Sequence, residues 1–366
     1  MKKKKNITIV ASSLTGNGGT ENVISSILAD PKICNHFEFS LFLPFGVQQF
    51  GWISERKNLK KLYSLPFQGF GGVLSRSIRL IFSFAFYSFC NSEVLMISNP
   101  RQIKIAKLAK KFFNKKYSVV SWMHFSLFGV KTVNAKLIMY AEKHLAISTG
   151  IAEQLVKMGA STDDIYTIYN PVKSTDERIQ RTVNLGVKEL LYVGRVQFQE
   201  QKNLKFMIQG LSKLNLRWHL NIIGDGKGLN KLRKYSEELG VGKQITFNGW
   251  NNKPWDRLKS VDVLLLTSNY EGFGMVLTEA ISRGIPVVSS DCPVGPADIV
   301  QNGINGETYE LNNIDDFENK VKKVLDIKYT DMDKIAGSLD WLYDDCYSTR
   351  FIRALTSINK NVVKRN

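Results

Sequence analysis

Two series of alternating strand-like and helix-like runs, one after the other, constrain this chain of 366 residues more than any other feature. Short apolar runs read as buried parallel strands, and the amphipathic runs between them as the crossover helices that parallel pairing requires. In the first series the pattern predicts strands over 6–11, 37–43, 59–63, 94–98, 117–122, 145–147 and 165–169. Asn170-Pro171 breaks the series, and the polar stretch over 171–186 reads as a linker. The alternation restarts with strands over 189–193, 218–223, 244–247, 261–266 and 286–289. The expected fold class is α/β, with doubly wound domains over 1–170 and 187–340 and a cleft between them. From about 335 the pattern is mostly helical, and a tail over 341–366 is expected to pack back toward the first domain. Such sheets bind ligands outside the carboxyl ends of their strands, so residues just past strand ends are the candidates for chemistry.

Charge narrows the partners. Residues 1–170 carry 22 Lys and Arg against 9 Asp and Glu, while 171–366 carry 28 against 24. A basic first half implies an anionic partner: a membrane surface, a nucleic acid or a phosphorylated substrate. The other reading is a basic surface kept for solubility. No nucleic-acid recognition motif is present. The four cysteines, Cys34, Cys90, Cys292 and Cys346, show no paired spacing, which fits a reducing cytoplasm. Basic Met1 to Lys5 leads into a strand-like run rather than the apolar region of a signal peptide. No apolar run reaches the roughly 18–20 residues of a membrane span. The nearest, 78–90, is interrupted by Arg79, Ser83 and Ser88. Most of it is expected in the core; the alternative is a helix resting in the membrane interface, with Arg76 and Arg79 on lipid phosphates.

Five stretches sit at strand ends. Thr15-Gly16-Asn17-Gly18-Gly19-Thr20-Glu21 suits a tight turn and a close backbone approach to an anion, but it lacks the third glycine of a dinucleotide fingerprint. Leu191-Tyr192-Val193-Gly194-Arg195, with Lys202 beyond it, places two cations of the kind that meet phosphate oxygens. Ile222-Ile223-Gly224-Asp225-Gly226-Lys227-Gly228 is a second glycine turn. Ser121-Trp122-Met123-His124-Phe125 puts a histidine just past a strand. In Tyr270-Glu271-Gly272-Phe273-Gly274-Met275-Val276-Leu277-Thr278-Glu279, two carboxylates straddle a strand-to-helix turn, and the helix is predicted over 275–283. A helix start between them suits a diphosphate. Taken singly, each stretch also fits a structural or solvated role. The one Asp-x-Asp, Asp331-Met332-Asp333, lies in the polar tail and reads as surface, so no metal–diphosphate site is indicated. There is no H-E-x-x-H, no G-x-S-x-G and no Walker phosphate loop.

Together these stretches resemble the retaining glycosyltransferases of family 4, the glycosyl transferases group 1, whose mark is a Glu-x7-Glu motif carried here by Glu271 and Glu279. The likeness covers nearly the whole chain, including 16–21, 121–127, 144–150, 168–172, 193–195, 249–255 and 303–309. Within that group the chain most resembles the lipopolysaccharide core 1,6-galactosyltransferases. The marks are Ser121 to Leu127, the Arg195–Lys202 pair at a long spacing, and Ser289-Ser290-Asp291-Cys292 followed by Gly295-Pro296.

The resemblance implies a GT-B fold of two Rossmann-like domains facing across a cleft, a UDP-sugar donor, and no cofactor or metal. It implies catalytic roles for His124, Arg195, Lys202 and Glu271. Arg195 and Lys202 would hold the diphosphate, Glu279 the ribose, and Glu271 with the backbone of Phe273, Gly274 and Met275 the donor sugar and β-phosphate. Gly224 would join the donor site, and Gly18, Gly19 and His124 would close it from the N-terminal side. The expected reaction moves a hexose, galactose before glucose or N-acetylglucosamine, to a saccharide or glycolipid such as lipopolysaccharide core. It would run in the cytoplasm, on the inner face of the cytoplasmic membrane. Two other readings share the fold: a UDP-sugar 2-epimerase and a non-catalytic partner of an active transferase.

Overall fold

Val, Ile and Leu crowd the strand positions because a parallel strand covered on both faces has no solvent side for polar residues. The computed structural model describes residues 4–12, 14, 18–47, 52, 58–65, 73–128, 134–182, 186–326 and 331–363, the side chains of 73–76 and 359–363 excepted. Thr15, Gly16 and Asn17 of the first glycine turn, and the side chain of Arg76, fall outside them. The chain forms two compact units, Met1–Pro171 with Asp345–Asn366, and Val172–Asp344.

The first unit holds β1 (Lys5–Val10), β2 (Phe37–Leu43), β3 (Leu59–Ser64), β4 (Val94–Ile97), β5 (Ser118–Trp122), β6 (Lys143–Ala146) and β7 (Ile165–Thr167). They pair in parallel in the order β3-β2-β1-β4-β5-β6-β7. The order reverses between β1 and β4, so the loops leaving those strands part to opposite faces. The helices are α1 (Gly19–Ala29), α2 (Pro31–His36), α3 (Val73–Phe89), α4 (Pro100–Phe112) and α5 (Thr149–Lys157). α4 starts where it does because Asn99 accepts from the Arg101 and Gln102 amides and Pro100 opens the first turn. Buried polar groups between α3 and α4 are satisfied in a chain: the Tyr87 hydroxyl donates to Gln102 Oε1 at 2.8 Å, and Gln102 Nε2 donates to Ser83 Oγ at 3.1 Å.

The run over 78–90 departs from expectation. Ser83 and Tyr87 are buried, but Ile78, Leu80, Ile81 and Phe89 are exposed, so much of it stays out of the core. Nor does Arg79 turn outward. Its Nη1 donates to the Pro44 carbonyl at 3.2 Å and its guanidinium lies 5.6 Å from the Phe45 ring centroid, a half-buried position that serves packing. Among the described residues, no helix is long and apolar enough to cross a membrane.

The second unit holds β8 (Lys188–Val193), β9 (Trp218–Ile223), β10 (Ile245–Phe247), β11 (Val263–Leu266), β12 (Val287–Ser290) and β13 (Gly306–Tyr309), in the order β10-β9-β8-β11-β12-β13. Its helices are α6 (Leu204–Leu211), α7 (Leu229–Glu238), α8 (Met275–Ile281), α9 (Pro296–Ile299), α10 (Ile314–Leu325) and α11 (Met332–Gly337). Sequence reading did not find β13. It is short and carries the buried Glu307, which is tolerated because Lys323 and Lys320 reach its two oxygens from α10 at 2.6 and 3.4 Å. The stretch read as a linker is laid against this unit over its described residues. Ile179 donates to the Arg283 carbonyl, and the Thr182 amide and Arg181 reach the buried carboxylate of Asp262. That carboxylate needs donors, and the chain entering β8 supplies them. The Asp331-Met332-Asp333 acids are also in structural use: Asp331 caps α11 and Asp333 accepts from Arg178 Nε at 2.9 Å.

The last helix, α12 (Asp344–Val363), packs on the first unit. Phe351 meets the rings of Phe37 and Phe39 at 6.4 and 6.5 Å, and Ser348 bonds Asp30.

Candidate active site

The second sheet reverses order between β8 and β11, and the loops leaving those two strands carry the expected cations and acid. β8 ends at Val193, and the Gly194 amide donates to the Ile223 carbonyl. The buried Tyr192 hydroxyl donates to the Arg195 carbonyl at 2.7 Å, which holds that residue's backbone while its side chain stays exposed. Gly224 is needed sterically, since a Cβ there would stand 1.8 Å from the Gly194 carbonyl oxygen. Its role in the structure is to let the turn after β9 press against the Arg195 loop.

Between Arg195 and Lys202 the chain makes a long excursion, fastened to the loop after β11. Asn269 donates from its backbone to the Gln201 carbonyl at 2.7 Å and from its side chain to the Glu200 carbonyl at 2.7 Å. Gln201 bridges the two loops. Its Oε1 accepts from Arg195 Nη2, and its Nε2 donates to the Tyr270 carbonyl, both at 3.1 Å. The guanidinium is thus aimed by a neutral amide.

Lys202 and Glu271 form the central pair, Nζ to Oε1 at 2.6 Å, with side chains 14% and 8% exposed. The same Oε1 accepts from Ser268 Oγ at 2.5 Å, and the Ser268 carbonyl accepts from Ser290 Oγ at 2.6 Å. So Arg195, Lys202 and Glu271 are brought together on two loops, with serines setting the carboxylate. Cys292 is buried nearby. Burial and the Glu271 charge push its thiol up to about 12, so it stays a thiol at neutral pH.

Past Glu271 the chain enters α8. The Phe273 side chain is buried, which leaves its backbone for any ligand, and Gly274 adopts φ +100° at the cap position, a conformation suited to glycine. Gly274 brings no side chain to the first turn of α8, and Met275 opens that turn half-buried. Glu279, one turn on, accepts from the Trp255 indole Nε1 at 3.2 Å, and Arg283 stacks 5.0 Å from the Trp255 ring centroid. Burial holds the Glu279 carboxyl above its ordinary range, opposed by the indole hydrogen bond and the Arg283 charge. The folded chain therefore keeps this proton to a higher pH than the unfolded chain does, and ionising it as pH rises costs stability. Glu279→Gln is expected to raise Tm at pH 7 and to have a smaller effect at pH 4. If the carboxylate binds the donor, the same variant raises donor KM ~10- to 100-fold, the loss of a charged hydrogen bond. Thermal melts at both pH values and donor saturation curves check both halves.

In the first unit, Gly18 precedes α1 and Gly19 opens it, after β1. His124 follows β5. Burial lowers its imidazole to about 3, its ring stands 4.3 Å from that of Trp122, and its buried Nε2 has no hydrogen-bond partner among the described residues. His144 on β6 accepts or donates at Nδ1 with Ser121 Oγ, 2.7 Å away, and burial lowers it to about 4. Both are neutral when folded and take up protons near pH 6.5 when unfolded. The unfolded state therefore gains protons first as pH falls, and stability drops below about pH 6.5. The expected loss between pH 6.5 and 5 is about 2 kcal/mol per histidine. Denaturant melts across that range test it, and His144→Gln is expected to flatten the profile.

Comparison with known proteins then places the chain. The glycosyl transferases group 1 family model matches residues 173–337. Over 363 residues the chain is 35% identical to the lipopolysaccharide 1,6-galactosyltransferase of Salmonella typhimurium, covering 96% of this chain and 98% of that one. The chain belongs to the glycosyl transferases group 1 family. The apo structure of the lipopolysaccharide outer core galactosyltransferase WaaB matches this glycosyltransferase with a TM-score of 0.83 at 33% identity, covering 96% of this chain and 99% of that one. HepE of Anabaena, solved with UDP, matches with a TM-score of 0.74 over 96% of this chain and 100% of that one; at 16% identity it shows the shared GT-B fold alone.

The candidate site also rests on supports to which sequence reading gave no role: Gln201, Ser268 and Asn269, which it did not single out, and Tyr192, Trp255 and Ser290, which it noted only as parts of longer stretches. Each acts by orienting Arg195, Glu271 or Glu279, or by fastening the loops that carry them. Pairings across 60 or 70 positions of sequence leave no local pattern. Only the unusual length of the Arg195–Lys202 spacing signalled that an extra loop needed fastening.

Proposed function

We propose that this glycosyltransferase moves galactose from UDP-galactose to a saccharide of lipopolysaccharide core, with retention of anomeric configuration and without a metal ion. The observation that carries the reading is the convergence of Arg195, Lys202 and Glu271 on the two loops that leave the second sheet at its reversal point. Whole-length identity to a lipopolysaccharide 1,6-galactosyltransferase supports the donor sugar and the acceptor.

In the reaction the bond between the anomeric carbon and the β-phosphate oxygen breaks, and its electron pair leaves with the diphosphate. Negative charge grows there, and Arg195 and Lys202 are preorganised to meet it, the role a divalent cation would otherwise fill. The Lys202–Glu271 contact places that ammonium beside the carboxylate assigned to the donor sugar, so one group faces phosphate and the other hydroxyls. Glu279, fixed by Trp255, takes the ribose hydroxyls. The acceptor hydroxyl bonds to the anomeric carbon from the face the diphosphate left, and its proton passes to a departing phosphate oxygen. No protein nucleophile is assigned. His124, neutral at working pH, offers Nε2 to a sugar hydroxyl as a hydrogen-bonding group rather than as an acid. A membrane-borne acceptor supports a working position on the cytoplasmic face of the inner membrane.

The test is transfer from UDP-galactose, UDP-glucose and UDP-N-acetylglucosamine to core lipopolysaccharide lacking its galactose, with and without chelator, and NMR of the product. UDP-galactose preference, an α-linked product and unchanged rate under chelator are expected. A β-linked product, or loss of turnover on chelation restored by Mg²⁺, overturns the corresponding part.

A further inference from the structure

The residue after Lys202 departs from ordinary backbone geometry. Asn203 adopts φ 47° and ψ 49°, the left-handed conformation, at the cap position of α6. A cap residue is ordinarily extended, and its side chain accepts from the free amides of the helix. Asn203 does neither: it makes no side-chain cap bond, and its Nδ2 donates to Asn269 Oδ1 at 3.2 Å. The left-handed region strains every residue that carries a side chain, asparagine least. Such a conformation persists where surrounding contacts over-determine it, and those places cluster at functional sites.

Two sets of contacts fix it here. The excursion after Arg195 folds back on the start of α6. The Leu204 amide donates to the Gln197 carbonyl at 3.1 Å, the Lys205 amide to the Phe198 carbonyl at 2.9 Å, and the Lys202 amide to Gln197 Oε1 at 3.1 Å. These N–H groups are occupied by the loop itself, which leaves the Lys202 side chain to meet an anion. The second set comes from the loop after β11. The hydroxyl of the buried Thr267 lies 3.1 Å from the Lys202 carbonyl and 3.2 Å from the Asn203 carbonyl, its single hydrogen shared between them. Asn269 takes the three carbonyls before those: its amide donates to Gln201 at 2.7 Å, and its Nδ2 to Glu200 at 2.7 Å and to Gln199 at 3.3 Å. Every carbonyl from Gln199 to Asn203 is thus held by Thr267 or Asn269. Ser268, between them, bonds Glu271. One short segment therefore carries the carboxylate and also anchors the backbone of its lysine partner.

We infer that Thr267 and Asn203 are positioning residues for the transfer reaction: the shared hydroxyl and the left-handed turn fix the backbone from which the Lys202 ammonium meets the departing diphosphate. The inference rests on the diphosphate role proposed for Lys202. A lysine is a point charge on a flexible stem, so where its ammonium stands depends on where its backbone is anchored. Arg195 is aimed differently, through the Gln201 amide on its guanidinium. Neither new residue has to touch the donor, since the Thr267 hydroxyl faces peptide carbonyls and the Asn203 amide faces Asn269.

Steady-state hydrolysis of UDP-galactose by the purified full chain tests this, with kcat and donor KM read separately at a temperature well below the melting transition. Thr267→Val keeps the shape and removes the hydroxyl. Its kcat is expected to fall ~10- to 100-fold, the effect of misplacing a reacting group by about 1 Å, with donor KM within about threefold of wild type. Thr267→Ser returns the hydroxyl and should recover most of the rate. At the turn, Asn203→Ala should lower kcat about tenfold, because alanine resists the left-handed conformation. Asn203→Gly loses the same bond to Asn269 but takes the turn freely, so it should recover most of that loss. A merely structural role would lower Tm in these variants and leave kcat alone. Thr267→Val that melts lower yet keeps the wild-type kcat, or Asn203→Gly no faster than Asn203→Ala, would overturn the assignment while the donor reading stands. The donor reading is judged on wild type: if that enzyme neither binds nor turns over a UDP-sugar, both fall.

Discussion

Purified Arg195→Ala enzyme is expected to turn over its donor at least ~10²-fold more slowly than wild type, with Tm unchanged. The side chain is exposed, so its removal leaves no cavity and no buried charge. Its described hydrogen bond goes to Gln201, a neutral amide that keeps the guanidinium aimed without neutralising it. In the proposed role that charge stabilises the leaving diphosphate more in the transition state than in the bound donor, so kcat is expected to fall more than KM rises. Arg195→Lys restores charge without the fork and should recover part of the rate. Gln201→Ala should show a smaller loss of the same kind, rescued by Gln201→Asn only in part because the shorter side chain reaches one loop or the other. Near-normal kcat in Arg195→Ala would remove Arg195 from the diphosphate.

Lys202→Ala should fail differently. Removing the lysine strands the Glu271 carboxylate, 8% exposed, with Ser268 as its remaining described partner. Breaking a buried pair from one side costs about 3–5 kcal/mol, which in a unit of this size lowers Tm by about 10 °C. Activity is lost with it. The double variant Lys202→Met with Glu271→Gln discriminates stability from chemistry: it should regain most of the Tm and none of the turnover. If Lys202→Ala alone melts like wild type, the pair is not buried in solution as it is in the structure. If the double variant transfers sugar, neither residue serves the reaction.

The sheets were legible because central parallel strands are uniformly apolar: the runs at 94–98 and 261–266 stand in the structure as Val94–Ile97 and Val263–Leu266, buried at every position. β13 was not legible, since its stability comes from lysines on α10 clasping Glu307 rather than from its own apolar content. At the site, the charged ends were readable and their supports were not. Arg195, Lys202 and Glu271 declare themselves by type and by position at strand ends. Gln201, Ser268 and Asn269 are ordinary polar residues until folding sets them against partners far along the chain. The alternative that put Arg79 on lipid phosphates failed for a related reason: a nearby carbonyl and ring compete for the cation and win.

The route of the backbone has a consequence for biosynthesis. Unit Val172–Asp344 is inserted within the other, and its two ends emerge side by side, with the Asp344 amide donating to the Val172 carbonyl at 3.1 Å. The inserted unit is complete before the ribosome reaches α12, the 20-residue helix whose Phe351 covers Phe37 and Phe39. The unit begun first is therefore finished last. A nonsense codon just before 345 should yield a chain whose second unit is folded and whose first is left open on an aromatic face, a substrate for chaperones and proteases rather than a slower enzyme.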